Sequence, residues 1–225
     1  MNKPDWSQID TVLLDMDGTL LDLHYDNHFW LEYLPERYAE HFQLPQEEAR
    51  DILNQEYEKV HGTISWYCLD YWADTLKLPI TEMKREVQHL ISMREDVPPF
   101  LSALKQSGRQ VALVTNAHPG SLSLKLEQTA LGSYLDTMIS VHEYGVSKES
   151  PELWRHVHQR LKFDPARTLF IDDSLRILTV AQKFGIKWLS AVLQPDSKKP
   201  NVDTDPFFAV DDYRCFIDDI LKYQA

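Results

Sequence analysis

Asp15 and Asp17 stand one residue apart in Asp15-Met16-Asp17-Gly18-Thr19-Leu20, just past an apolar run, Val12-Leu13-Leu14, that reads as a short buried strand. Two carboxylates this close repel each other, so ionising both in a cleft requires a cation or strong donors, and magnesium is the obvious candidate. Gly18 lets the backbone turn tightly and Thr19 can hydrogen-bond the turn. Two more predicted strands end in polar pairs: Gln110 to Val114 runs into Thr115-Asn116, and Thr168 to Ile171 runs into Asp172-Asp173. In a parallel sheet such ends share one edge, where open α/β sheets bind their ligands. Lys148 joins the set from the loop Gly145-Val146-Ser147-Lys148, just before a helix at Pro151. Taken singly, each piece has a plainer reading. The first is a strand end with an Asx-turn, the second a strand-to-loop Asx motif, the third a solvated loop lysine, and Asp172-Asp173-Ser174 a helix N-cap.

The elements that must position these groups fall into two textures. From Leu21 to Arg94 the sequence is helical, with no convincing β-run. The spacing predicts a helix over Asp26 to Phe42 broken at Pro35, a second from Pro45 to Val60 ended by Gly62, a third over Ser65 to Leu76, and a fourth from Thr81 to about Met93. From Val97 onward strand and helix alternate. Helices are expected at Phe100 to Gln106, Leu122 to Thr129, Pro151 to Leu161 and Leu175 to Phe184. Between them lie strands at Gln110 to Val114, Thr137 to Val141, Thr168 to Ile171 and Lys187 to Val192. That alternation predicts an α/β fold, a parallel sheet with helices on both faces. Gln194 to Pro206 reads as a surface loop before a terminal helical segment, Asp212 to Tyr223.

Asp15-Met16-Asp17-Gly18-Thr19-Leu20 resembles the first motif of the haloacid dehalogenase-like hydrolase superfamily. Thr115-Asn116, Lys148 and Asp172-Asp173 follow in that superfamily's order and spacing, so the resemblance covers nearly the whole chain. It implies a Rossmann-like catalytic core over residues 1–21 and 95–225, with a helical cap inserted over 22–94. It further implies that Asp15 is the nucleophile that becomes an aspartyl phosphate and Asp17 the general acid and base. Thr115, Asn116 and Lys148 would bind the phosphate, and Asp15, Asp172 and the backbone carbonyl of Asp17 would bind magnesium. Asp173 is expected in the surroundings of the metal or as a water-mediated ligand. Physical chemistry agrees with the carry-over. Phosphoryl transfer spreads negative charge over the equatorial oxygens, which hydroxyl, amide and ammonium groups stabilise. Dehalogenases of the superfamily lack the second Asp, so the presence of Asp17 implies a phosphatase or phosphomutase.

The inserted segment is aromatic-rich, with Phe29, Trp30, Tyr33, Trp66, Tyr67, Tyr71 and Trp72, and Tyr67/Tyr71 and Cys68/Trp72 fall at helical i, i+4 spacing. Such rings either fill a small helical core or present a face on which a purine can stack. Trp66-Tyr67-Cys68-Leu69-Asp70-Tyr71-Trp72, Thr115-Asn116-Ala117-His118-Pro119 and Phe170-Ile171-Asp172-Asp173-Ser174 are similar to bacterial purine 5'-nucleotidases acting on GMP and IMP. That resemblance implies a purine nucleoside monophosphate as substrate. A β-phosphoglucomutase-like or sugar-phosphate enzyme shares the motifs and is the alternative; a non-catalytic binding module is a third reading, although no expected catalytic position is missing.

Composition narrows the partners. The 35 acidic and 23 basic side chains give a net charge of -12, which disfavours nucleic acid and anionic membrane. Cys68 and Cys215 lie far apart without a zinc or disulfide pattern, His118 is expected to be structural or solvated, and His156 and His158 do not share a helix face. The amino terminus shows no signal-peptide core, and no apolar run approaches the ~20 residues that span a bilayer. A cytoplasmic location is therefore expected.

Overall fold

Short apolar runs bounded by polar sequence form the six strands of one sheet: β1 (Thr11–Leu14), β2 (Gln110–Thr115), β3 (Thr137–Ser140), β4 (Thr168–Asp172), β5 (Trp188–Val192) and β6 (Phe208–Val210). The computed structural model describes residues 3–135 and 137–223; Met1 and Asn2, which begin the amino-terminal segment, lie outside them, as do Asp136, Gln224 and Ala225. All neighbouring strands are parallel and the order is β3-β2-β1-β4-β5-β6, as expected of an α/β fold. The strand order reverses direction on either side of β1, between β1 and β4, and such a switch point opens a crevice at the carboxyl ends of the strands. Leu14 is in register with Leu113 on one side and Ile171 on the other, which sets the ends of β2, β1 and β4 side by side.

Alternation along β1 divides the core. Val12 and Leu14 pack to one face with Phe100, Leu104, Tyr213 and Phe216, while Leu13 packs to the other with Trp154, Phe170 and Leu178. Both faces are thus covered, and β1 is buried throughout, apolar from Val12 to Leu14, as a parallel strand with helices on both sides must be. The helices of the sheet region are α6 (Val97–Gln106), α7 (Pro119–Gln128), α8 (Pro151–Leu161), α9 (Leu175–Phe184) and α10 (Ile217–Lys222). Numbering in chain order, α1 (His24–His28), α2 (Leu34–Phe42), α3 (Gln46–Val60), α4 (Leu69–Leu76) and α5 (Ile80–Glu86) all lie between β1 and β2. The two crossings into and out of this helical stretch are tied together. Asp22 donates its amide to Ser92 O at 3.0 Å, Arg94 to Leu20 O at 3.2 Å, and Leu21 bridges Met93 antiparallel.

Four sequence expectations need correction. The helix expected from Asp26 to Phe42 does not simply break at Pro35; a π-helical turn, Phe29–Tyr33, links α1 to α2. Pro35 has no N–H and its ring would crowd the carbonyl one turn back, and a wider turn ahead of it relieves both problems. Ser65 to Leu76 is not one helix: a 3-10 turn, Ile64–Tyr67, is followed by extended Cys68 at φ -88 and ψ 112 before α4 begins. Tyr67/Tyr71 and Cys68/Trp72 are therefore not helical pairs. The fourth helix stops at Glu86, and Gln88–Leu90 form a 3-10 turn, because the chain must straighten to bridge Leu21. Finally, Gln194 to Pro206 is not all surface: Asp196 is buried and accepts from Asn27 Nδ2 at 2.7 Å. β6 follows it, three residues being too few to show a period in sequence.

One buried cation fastens both chain ends to the start of β2. Arg109 donates through Nε to Ile9 O at 2.8 Å, through Nη2 to Trp6 O at 2.8 Å and the Tyr223 carbonyl, and through Nη1 to Ile220 O at 3.1 Å. Arg109→Met leaves several buried carbonyls without a donor, and the expected loss is about 2–4 kcal/mol, read as a lowered urea midpoint at constant m-value.

Candidate active site

The strand register delivers the site. Asp15 leaves β1 with its amide donated to Ile171 O at 3.0 Å, which seats it beside Asp172 at the end of β4. Gly18 holds φ +82, and a Cβ there would sit 2.6 Å from Asp173 Oδ2, so only glycine lets the turn after Asp15 lie against the Asp173 carboxylate. Thr115 and Asn116 close β2 on the other side, both buried. The Thr115 hydroxyl oxygen accepts from the Ala117 amide at 3.0 Å, which leaves its own proton free to donate.

Lys148 reaches this group from the loop before α8. Its Nζ lies 2.5 Å from Asp15 Oδ1 and 2.7 Å from Asp172 Oδ2, all three side chains being buried. The loop is held by two further bonds: the Lys148 amide donates to Asn116 Oδ1 at 2.9 Å, and Trp154 Nε1 donates to Lys148 O at 3.1 Å. Asn116 Nδ2 in turn donates to Glu149 Oε2 at 3.2 Å. The side chain of Asn116 thus bridges β2 to the lysine loop, and its backbone amide is the donor left for an anion. Burial disfavours the Lys148 ammonium, but Asp15 and Asp172 outweigh it and push its pKa up. Burial pushes Asp15 up to about 6, with Lys148 pulling it back and Asp172 adding repulsion.

A second cluster of charge, not read from the sequence, continues from the first. Lys125 on α7 places Nζ 2.6 Å from Asp17 Oδ1 and 2.7 Å from Asp26 Oδ2, and Lys84 on α5 places Nζ 3.0 Å from Asp26 Oδ1. Burial, opposed by Lys125 and reinforced by Asp26 and Asp15, raises Asp17 to about 6. Burial also works against Asp26, but Lys125 and Lys84 together hold it down to about 2. No periodicity marks these residues in sequence. Lys125 sits in an ordinary amphipathic helix and Lys84 in a charged run, and only the tertiary fold makes them buried. Glu149 is a further unread member: its Oε1 accepts from the Tyr67 hydroxyl at 2.7 Å.

The donor set fits a hard divalent cation. Asp15, Asp172 and Asp173 each offer a carboxylate oxygen within 4.8 Å of the others. Burial and the neighbouring Asp172 and Asp15 push Asp173 well above the usual carboxylate range, and Asp172 is raised by burial too. Among the described residues the ion pairs of Asp15, Asp17, Asp26 and Asp172 are made with Lys84, Lys125 and Lys148, so carboxyl groups outnumber ammonium groups in this cluster. An oxygen-ligated dication matches that excess. Asp17 stands apart from the three carboxylates, its side chain committed to Lys125.

Above these groups lies a cavity of about 310 Å³, walled on the helical side by Trp30, Tyr57, Trp66, Tyr67 and Trp72. Phe29, Tyr33 and Tyr71 do not line it; Phe29 is buried in the core. His118 borders the cavity, where its Nδ1 caps α7 by accepting from the Gly120 amide at 3.2 Å. His156 stacks on Tyr144 and His158 meets Phe163 edge to face. Among the described residues, no helix is long and apolar enough to cross a membrane.

Comparison with known proteins bears on this geometry. Residues 9–185 match the family model of the haloacid dehalogenase-like hydrolases. The chain is 44% identical over 216 residues to the GMP/IMP nucleotidase YrfG of Escherichia coli, spanning 96% of this chain and 97% of that protein. Among solved structures, a HAD phosphatase from Thermococcus onnurineus matches with a TM-score of 0.79 at 19% identity, over 96% of this chain and all (100%) of that one. A putative beta-phosphoglucomutase from Thermotoga maritima matches with a TM-score of 0.67 at 21% identity, over 95% and 99% respectively.

Two outcomes are expected of the charged groups. Lys125→Met strands Asp17 beside a half-neutralised Asp26 in a buried setting and lowers stability by about 3 kcal/mol in urea titration. For Asp15 and Asp17 the folded pKa of about 6 exceeds the unfolded value of 3.8, so the metal-free protein is stabilised by protonation below pH 4 and loses that contribution as pH rises through 6. A bound dication favours the ionised forms, so the gain in melting temperature from magnesium over EDTA should grow from pH 4 to pH 7. A gain independent of pH would place the ion elsewhere.

Proposed function

The chain belongs to the haloacid dehalogenase-like hydrolase family, and we propose that within it the chain is a magnesium-dependent phosphomonoesterase that hydrolyses the purine nucleoside 5'-monophosphates GMP and IMP through an aspartyl phosphate. The near-full-length likeness to a GMP/IMP nucleotidase carries the substrate, and the Asp15–Lys148–Asp172 triangle beneath an aromatic-walled cavity supports the chemistry. The readings of residues 1–21 and 95–225 as catalytic core and 22–94 as cap belong to this proposal, as does a cytoplasmic setting.

In this reading Lys148 keeps Asp15 ionised and turned toward the cavity, and Asp15 Oδ attacks phosphorus in line. Thr115 Oγ1 and the Asn116 amide donate to the equatorial oxygens, where negative charge gathers. Asp17, raised toward the working pH by burial, gives its proton to the departing ribose 5'-oxygen. The same carboxylate, now ionised and held by Lys125, takes a proton from the water that attacks the aspartyl phosphate, which frees phosphate and restores Asp15. Asp15 and Asp172, with Asp173 beside them and the Asp17 carbonyl, would hold magnesium, which when bound offsets charge on the phosphoryl group. Trp30, Trp66 and Tyr67 offer faces and edges on which a purine can lie.

Asp15→Asn should abolish turnover while the protein still binds GMP, and Asp17→Asn should lower kcat by about 10²–10⁴. Phosphate release with magnesium should favour GMP and IMP over glucose and ribose phosphates by at least about tenfold in kcat/KM, a difference of about 1.4 kcal/mol. Equal rates on sugar phosphates would refute the substrate assignment, and isomerised sugar phosphate without released phosphate would make the enzyme a mutase.

A further inference from the structure

The cysteines and histidines of this chain show no metal-ligand spacing, yet folding gathers three of them beside the phosphate site. Cys68, the extended residue ahead of α4, His118, ahead of α7, and His142, just past β3, each present a ligand atom within 4.8 Å of the others. The His118 and His142 rings meet edge to face with centroids 5.0 Å apart. His142 is the most informative of them. Its ring lies against the Asn116 backbone carbonyl, while its Nε2 is buried and has no hydrogen-bond partner among the described residues. With Nδ1 as the N–H on the side of that carbonyl, Nε2 carries a lone pair that no donor among the described residues occupies. A ring fixed by a carbonyl at one nitrogen and open at the other is in the tautomer that ligates metals.

We propose that Cys68, His118 and His142, with Asp70 as fourth ligand, form a binding site for a zinc-class transition-metal ion, separate from the magnesium carboxylates. A thiolate and two imidazoles are soft to borderline donors that select such ions over magnesium. Asp70 Oδ2 lies 3.5 Å from His118 Nε2 on a solvent-exposed side chain, free to turn toward the ion. Metal bonds of about 2.0–2.3 Å set neighbouring ligand atoms roughly 3.5 Å apart, so the present spread closes by about 1 Å on binding. Binding releases the Cys68 thiol proton to solvent, and His118 gives up its 3.2 Å bond from the Gly120 amide, because a neutral ring cannot accept there and ligate through its other nitrogen. Two ligands come from the helical stretch between β1 and β2 and two from the sheet region. The ion therefore ties the two together at Asn116 and restrains any opening between them; this restraint rests on the cap reading above.

Cobalt(II) titrated into the full-length, magnesium-loaded protein tests the site. A thiolate-to-cobalt charge-transfer band that saturates at one equivalent, is displaced by zinc, persists in Asp172→Asn, is lost in Cys68→Ser and forms with about 10–100-fold weaker affinity in His142→Ala supports it. Magnesium-supported GMP hydrolysis by Cys68→Ser, unchanged without zinc, verifies the fold of that variant. Absence of the band, or a band that survives in Cys68→Ser and so reports Cys215, overturns the site. Zinc at one equivalent should lower kcat at least tenfold in the parent and not in Cys68→Ser. An unchanged parent kcat, or equal inhibition of the two proteins, overturns the restraint.

Discussion

Buried negative charge is the constraint around which this molecule is arranged. Parallel strands in the order observed bring Asp15, Asp172 and Asp173 to one crevice, and the turn after β1 adds Asp17. Carboxylates crowded out of water raise one another's pKa and would neutralise themselves by taking up protons, and a neutral carboxyl group is a poor nucleophile and a poor metal ligand. The fold answers with lysines that are themselves buried and bidentate in their partners. Lys148 spans Asp15 and Asp172, and Lys125 spans Asp17 and Asp26. Neither lysine has a free role at the surface; each is meaningful only as the counter-charge of a pair.

The same arithmetic of charge links the inserted helices to the sheet. Asp26 lies on α1 and Lys84 on α5, while Lys125 and Asp17 belong to the sheet region, so one run of ion pairs crosses between the two. Tyr67 to Glu149 and Arg85 to Glu127 cross it as well, at 2.7 and 2.9 Å. The exposed Arg85 pair contributes little in water, whereas the buried Lys125 pairs depend on staying together because separation strands charges. The environment of Asp17, and with it its proton affinity, is therefore coupled to where the helices sit.

The cavity completes this arrangement. Its floor is charged and its helical wall aromatic, with Trp72 packed edge to face on Tyr57 and Trp66 at 5.2 and 6.2 Å. Trp72 spends its indole N–H on the Trp66 carbonyl at 2.8 Å and Tyr57 its hydroxyl on the Trp30 carbonyl at 3.0 Å, which locks the wall before any ligand arrives. The cavity thus sets a wall of rings opposite a floor of paired carboxylates and lysines.

Some of this was written locally in the chain. The apolar run that stops at Asp15, the two other strands that end in polar pairs and the alternation after Val97 are short-range patterns, and they sufficed for the α/β class and for bringing Asp15, Thr115 and Asp172 into one crevice, to which the family resemblance added Lys148. The breaks at Phe29–Tyr33 and Cys68 were not legible, because Pro35 signals a disturbance without its form and the Tyr67 side chain is drawn to a partner 82 positions away in sequence. Lys125, Lys84 and Asp26 were equally silent, since a lysine in an amphipathic helix looks the same whether it faces water or a buried carboxylate. Cys68, His118 and His142 show the limit most plainly: their spacing carries no pattern, and only the packing of three separate connections places them together. Sequence alone determined which groups stand at the strand ends, because the period of a strand is local; tertiary structure decided which charges are paired and buried, because burial belongs to the whole fold.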